Sequence, residues 1–150
     1  VRDLVEARAA LETTAAQRAV AAGRHRGAAG EPLRAAISEI RACAARHDAY
    51  GFAAADTAFH RALCRLGGND VLVDLWETLA RQMTIIFGLA TLKKPMKAIV
   101  EEHTRLLADL ESGHRARLTA SLHEHITVMN LAVDYEAILD ARRARRASAA

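Results

Sequence analysis

Residues 51–70 read GFAAADTAFHRALCRLGGND, and this stretch decides the fold. Its large apolar residues Phe52, Phe59 and Leu63 recur at the spacing of one face of an α-helix, and no proline interrupts them. The glycine pair at 67–68 predicts that the helix ends there, because glycine readily adopts the left-handed conformation that terminates helices. The stretch therefore predicts one amphipathic helix and a tight turn into the next.

The same apolar spacing extends in both directions from this helix, and no alternating pattern typical of strands appears. Helices are expected at about 3–21, 31–47, 51–66, 70–92, 96–111 and 114–143. Asn69 is a candidate cap for the fourth helix. That helix is apolar around most of its circumference, which predicts a central position. Because most of the loops are short, the sequence predicts an all-α fold, an antiparallel bundle of about six helices.

The composition suits one domain with a single core. The chain has 150 residues, of which 51% are hydrophobic and 26% are charged. The net charge of +3 does not indicate nucleic-acid binding, and we interpret the arginines at 142–146 as a solvated helix end. The two cysteines form no paired motif, and no apolar run reaches the roughly 18 residues that span a bilayer. We therefore expect a cytoplasmic protein without membrane contact.

Four polar residues lie on the apolar faces of three predicted helices. Asp56 and His60 are one turn apart on the third helix, on the face that carries its phenylalanines. His103 lies within the apolar stripe of the fifth helix, and His125 within that of the sixth. The remaining histidines fall in loops, at helix ends or on polar faces, and we expect them to be solvated. Three helices thus each direct polar side chains into an aliphatic interior.

A divalent transition metal would explain this arrangement. Burying an unpaired carboxylate or imidazole costs several kcal/mol or forces a large pKa shift, and a bound cation removes that cost. Three imidazoles and one carboxylate suit zinc, which we favour, and also nickel, iron or manganese. A metal that accepts five or six ligands would keep room for water or a bound carboxylate. Cys64, one turn beyond His60, is interpreted as a packing residue.

Simpler interpretations of these residues stay open. A single histidine on an apolar stripe is often a core residue with one hydrogen bond, and Asp56 with His60 could be an ion pair. Arg8 also points inward, where it could bind a ligand carboxylate or pair with Glu12, four residues further on. Arg81, on a less apolar side of the fourth helix, is a second candidate for binding the ligand.

The chain resembles the FCD domain of GntR-type bacterial transcription regulators. The strings that carry the resemblance are EARAALE at 6–12, DTAFHRAL at 56–63, GGN at 67–69, EEH at 101–103 and HEHI at 123–126. The resemblance covers nearly the whole chain. It implies an all-helical effector-binding and dimerisation domain.

In that family an aspartate and three histidines bind a metal, and a small organic acid often lies on it. Carried over, the metal ligands are Asp56, His60, His103 and His125, and Arg8 matches an arginine that can face the pocket. Such regulators also carry a winged helix-turn-helix, to which nothing here corresponds. The resemblance therefore implies a homodimeric sensor domain that would contact DNA only through an absent N-terminal domain.

Other functions compete with the sensor domain. A metal-dependent hydrolase or lyase would need a general acid or base beside the metal, and we find no inward Glu or Asp beyond Asp56. We therefore expect no enzymatic activity. A metal that only stabilises the bundle and a direct metal sensor both remain as alternatives. The surfaces of the second and sixth helices are candidates for the dimer interface, and no exposed apolar patch in the sequence selects between them.

Overall fold

The computed structural model describes residues 1–90 and 95–148, and within them every side chain except those of 84–90, 129, 135, 136, 139 and 142. The helices are α1 (Arg2–Ala21), α2 (Glu31–Arg46), α3 (Ala49–Leu66), α4 (Asp70–Ala90), α5 (Met96–Ser112), α6 (Arg115–Leu122), α7 (Met129–Leu131) and α8 (Tyr135–Ala147). A 3-10 helix at Gly27–Gly30 precedes α2, and a π-helix at His123–Val128 joins α6 to α7. The described residues contain no strand, so the all-α prediction is confirmed.

Local capping groups set the ends of the central helices. The carboxylate of Asp48 accepts a hydrogen bond from the Gly51 amide at 2.9 Å, so α3 begins two residues before the predicted start. Asn69 Oδ1 accepts from the Leu72 amide at 3.2 Å, which confirms the predicted cap of α4. The predicted end of that helix near Leu92 lies outside the described residues. Gly113 ends α5 with a φ of 70°, a conformation that glycine adopts without strain.

The prediction of one long sixth helix is wrong. The chain leaves α-helical geometry at His123 for six residues of π-helix, and the helix ends at Leu131. The carboxylate of Asp134 then starts α8 by accepting a hydrogen bond from the Ala137 amide at 2.9 Å. An aspartate at that position favours a new helix start over a continued helix. The arginines at 143, 145 and 146 are exposed as expected, and the side chain of Arg142 lies outside the described ones.

The core is built around α3, which packs against α1, α2 and α4. Phe52 and Phe59 on this helix are fully buried. The predicted central position of α4 is wrong for its described side chains, because Val71 and Leu75 are 69% and 56% exposed. The reason is that, among the described side chains of α4, those buried against the bundle form one stripe, which includes Trp76. None of the described helices is long and apolar enough to cross a membrane.

Candidate metal centre

The structure brings Asp56, His60, His103 and His125 together. Each residue offers one ligand atom, and these atoms all lie within 4.8 Å of one another. Asp56 and His60 come from α3, His103 from α5 and His125 from the π-helix. His60 and His103 are 1% and 0% exposed, so the cluster lies inside the bundle.

Aromatic contacts fix the orientation of the three imidazole rings. Phe59 packs edge-on against His60 and His103, with ring centroids 5.3 and 4.8 Å away. The rings of His60 and His125 are stacked with centroids 5.2 Å apart. Buried rings in such contacts cannot turn freely, because the surrounding core is close-packed. The imidazole nitrogens are therefore held in fixed directions.

The outward nitrogen of each imidazole faces an acceptor. His60 Nδ1 lies 2.6 Å from a carboxylate oxygen of Glu12, and His103 Nδ1 lies 2.8 Å from the Ile99 carbonyl oxygen. His125 Nδ1 lies 3.4 Å from a carboxylate oxygen of Glu102. Carbonyl and carboxylate oxygens only accept hydrogen bonds, so this network assigns the hydrogen of each ring to Nδ1. In a neutral ring, Nε2 then carries a free electron pair.

When the rings are neutral and carry their hydrogen on Nδ1, the inward atoms face one another as acceptors. His60 Nε2 lies 3.2 Å from His125 Nε2, and His103 Nε2 lies 3.0 Å from Asp56 Oδ1. The latter pair is close but not aligned as a hydrogen bond, and among the described atoms His103 Nε2 has no hydrogen-bond partner. Electron pairs that face each other in a buried place are unfavourable. The donor set therefore fits a cation at their centre.

The protonation states also suit a metal. Burial by itself would raise the pKa of Asp56, but the contact with His103 and the charge of Arg8 outweigh it and hold the pKa below its usual range. Burial lowers the pKa of His60, helped by Arg8, and burial together with His103 lowers the pKa of His125 to about 3. At neutral pH the site thus presents the Asp56 carboxylate and the neutral imidazoles of His60 and His125, which are the forms that bind metals.

Glu12 is a site residue that the sequence analysis missed, and the prediction that Asp56 is the only inward acid is wrong. Glu12 is 0% exposed and adjoins the cluster through His60. Burial would raise its pKa, but Arg8 and His60 outweigh burial and lower it to about 2. The available signal was its position four residues after Arg8 and four before the buried Ala16.

The two predicted arginines lie in very different places. Arg8 is 2% exposed, and its Nε donates to Glu12 Oε1 at 2.6 Å, so the pair considered as an alternative is formed. Arg81 is exposed on α4 and contacts Thr78 Oγ1 at 3.3 Å. The structure does not bring Arg81 to the cluster, because residue 81 lies off the buried stripe of α4 that contains Trp76 and Ala80.

Cys64 and the remaining histidines lie outside the cluster. Cys64 is fully buried, and burial raises the pKa of its thiol, which keeps it a protonated packing residue. His47, His114 and His123 are exposed, as expected. His25 differs, because it is only partly exposed and its Nδ1 is buried.

Comparison with known proteins places the chain in a family. Residues 3–128 match the FCD domain, and this range contains all four residues of the cluster. A relative from Paenarthrobacter nicotinovorans, named as a probable D-xylose utilization operon transcriptional repressor, is 32% identical over 128 residues. The alignment covers 83% of this chain and 55% of the relative, so the chain spans just over half the relative's length. The match over most of its length shows that the chain belongs to the FCD domain family.

Proposed function

We propose that this chain is the effector-binding domain of a transcription regulator, and that Asp56, His60, His103 and His125 hold one divalent metal ion in it. The supporting observation is the arrangement of the imidazoles. Each Nδ1 faces an acceptor, and the Nε2 atoms converge with Asp56 Oδ1 in a buried space. A cation gives these facing electron pairs a common partner.

The distances between the ligand atoms and their chemical types both suit a transition metal. Ligands about 2.1 Å from an ion are separated by about 3 to 4.2 Å from one another, depending on the geometry. The cluster, with atoms within 4.8 Å, needs only a small contraction to reach this range. Nitrogen and carboxylate donors without a thiolate suit zinc, which we favour over nickel, iron and manganese. The metal would supply open coordination positions for a ligand.

The proposed effector is a small organic acid whose carboxylate occupies the open positions on the metal. Arg8, which is already paired with Glu12, contributes positive charge near the site, and we do not propose a direct ligand contact for it. The relative is named for D-xylose utilization, so D-xylose and its aldonic acid belong in the panel of test ligands.

Regulation would require DNA binding outside these residues. We propose that a winged helix-turn-helix belonging to the same protein contacts the operator. The FCD domain would form the homodimer and so bring two such DNA-binding domains together. A ligand can alter DNA binding only if it binds one arrangement of the two protomers more tightly than the other.

Metal analysis of the purified chain tests the site. Wild-type protein is expected to carry about one ion per chain, and His60→Ala and His125→Ala are expected to carry none. His123→Ala is the matched control, because His123 neighbours His125 in sequence but is exposed. Wild-type protein that neither contains a metal nor takes one up would contradict the proposal. An acid that binds the metal-loaded protein should raise its melting temperature, and a chelator should abolish that shift.

A direct metal sensor is the second candidate, because the same four residues would report metal supply without any acid. In that case metal alone would change operator binding by the full-length protein. A hydrolase or lyase is disfavoured, because both carboxylate oxygens of Glu12 are engaged by neighbouring donors and Glu102 faces the outward nitrogen of His125. Turnover of carboxylate esters or acids that depends on the metal would overturn that judgement.

A further inference from the structure

We infer that Glu12 is a positioning residue of the metal centre, which fixes the ring and the tautomer of His60 so that Nε2 faces the ion. Glu12 does not touch the ion itself. This inference rests on the proposed metal site and identifies a residue that lies outside the set of four ligands.

The contact between Glu12 and His60 is the tightest of those made by the outward nitrogens. Glu12 Oε2 lies 2.6 Å from His60 Nδ1, compared with 2.8 Å for His103 and 3.4 Å for His125. Both residues are buried, so water does not compete for the hydrogen bond. Carboxylates that accept from a metal-bound histidine fix its tautomer and raise its basicity.

The carboxylate of Glu12 is itself clamped from two sides. Its other oxygen, Oε1, accepts from Arg8 Nε at 2.6 Å and from Trp76 Nε1 at 2.8 Å. The network therefore joins α1, α3 and α4 around a single carboxylate. With both oxygens engaged, Glu12 can neither rotate away from His60 nor change the oxygen it offers.

A purely structural role does not explain why the network directs His60 Nε2 toward the inward atoms of the other ligands. Buried ionic networks often stabilise a protein no more than apolar residues of the same volume would. Here the network fixes His60 with Nε2 3.2 Å from His125 Nε2. When both rings are neutral with hydrogen on Nδ1, two electron pairs face each other there, which is unfavourable without a cation. The geometry thus favours metal binding at a cost to the metal-free core.

The variant Glu12→Gln provides a sharp test, because the amide is not symmetric. Two donors, Arg8 Nε and Trp76 Nε1, face the Oε1 position, so the amide oxygen of the variant should occupy it. The amide nitrogen then faces His60 Nδ1 and donates to it. This reversal would move the hydrogen of His60 to Nε2, the atom that should bind the metal.

Two readouts follow from this reversal. In metal-free protein, nitrogen NMR of the imidazoles should find His60 with its hydrogen on Nδ1 in the wild type and on Nε2 in Glu12→Gln. Zinc affinity, measured by competition with a chromophoric chelator, should fall about 10- to 100-fold in the variant. The free energy of unfolding of each metal-free protein, from urea titration, accounts separately for any general loss of stability.

Asp109→Asn is the matched control. It makes the same change from acid to amide at a second buried acid, whose carboxylate contacts Ser121 and Arg117, so the tautomer of His60 should stay and zinc affinity should change less than about threefold. If wild-type protein binds none of zinc, nickel, iron and manganese, the proposed function and this inference both fail. If wild type binds zinc, and Glu12→Gln binds it equally well with an unchanged tautomer, only the inference fails. Should Glu12→Gln not fold, an Nε2 hydrogen on His60 in the metal-free wild type would overturn the inference.

Discussion

His60 and His125 reach the same cluster from two segments that hold them differently. His60 lies on the regular helix α3 and is fixed by Glu12, which is 48 positions away in sequence. His125 lies in a π-helix, and its carbonyl accepts a hydrogen bond of 3.4 Å from the side chain of Asn130. The side chain of His60 is 1% exposed and that of His125 is 11% exposed. One ligand thus depends on a buried network between helices, and the other on an irregular backbone.

The difference separates stability from metal binding. Changes to the residues that orient His60 should weaken both the stability of the fold and metal binding, because these residues also belong to the core. Changes of His125 should affect the metal more than the fold, because its side chain is 11% exposed and its contact with Glu102 is long, at 3.4 Å. Short π-helices are frequent at functional sites, where an additional residue per turn redirects a side chain.

Phe59→Ala should have the largest effect on stability. Phe59 is fully buried and packs on both His60 and His103, so its loss removes core packing and the support of two ligands. Urea denaturation should show a loss of about 3–5 kcal/mol in the free energy of unfolding. Phe52→Ala is the control, because Phe52 is equally buried on the same helix. The two variants should lose similar stability, and Phe59→Ala should lose more metal affinity; equal affinities would contradict the comparison.

His60→Ala and His125→Ala should differ once the metal is removed. Without His60, Glu12 Oε2 loses its partner in a buried place, at a cost of about 1–3 kcal/mol. His125→Ala leaves that network intact, so metal-free protein should lose less stability. Thermal unfolding in the presence of a chelator measures both variants. An equal loss of stability, or a larger loss in His125→Ala, would contradict the claim that the buried network around His60 stabilises the fold more than the contacts of His125 do.

The four clustered residues could be found from the sequence because they follow a simple helical spacing. Asp56 and His60 share a face with Phe52 and Phe59, and the ends of α3 are marked by a cap and by glycines. His125 was placed correctly on the inner face although its segment is not α-helical, since the residues before it keep the regular spacing up to Leu122.

The features that escaped sequence reasoning depend on the surroundings of a residue. Arg8 and Glu12 have the same spacing as a solvated pair on a helix surface, and only the packing of α3 and α4 shows that both are buried. The π-helix does not leave a periodic pattern of its own in six residues. The central position of α4 was predicted wrongly because its many apolar residues suggested a helix buried on all sides, although Val71 and Leu75 are exposed.

Asn130→Ala should have the smallest of these effects and tests the π-helix directly. The amide of Asn130 donates to the Ile126 carbonyl oxygen at 2.7 Å, in the part of the chain where the backbone geometry is irregular. Its loss should cost about 0.5–1.5 kcal/mol in the free energy of unfolding, the typical net contribution of one neutral hydrogen bond. Hydrogen exchange should rise in residues 123–131 and stay unchanged in α3. Faster hydrogen exchange in α3 would show that the π-helix and α3 do not open independently.

The central claim is that Asp56, His60, His103 and His125 share one metal ion. Anomalous diffraction from crystals of the zinc-loaded chain, measured on both sides of the zinc absorption edge, tests it most directly. We predict one strong anomalous peak about 2.0–2.2 Å from three Nε2 atoms and an Asp56 oxygen. Zinc-loaded crystals that show no peak at this position, or a peak bound to other residues, would contradict the claim.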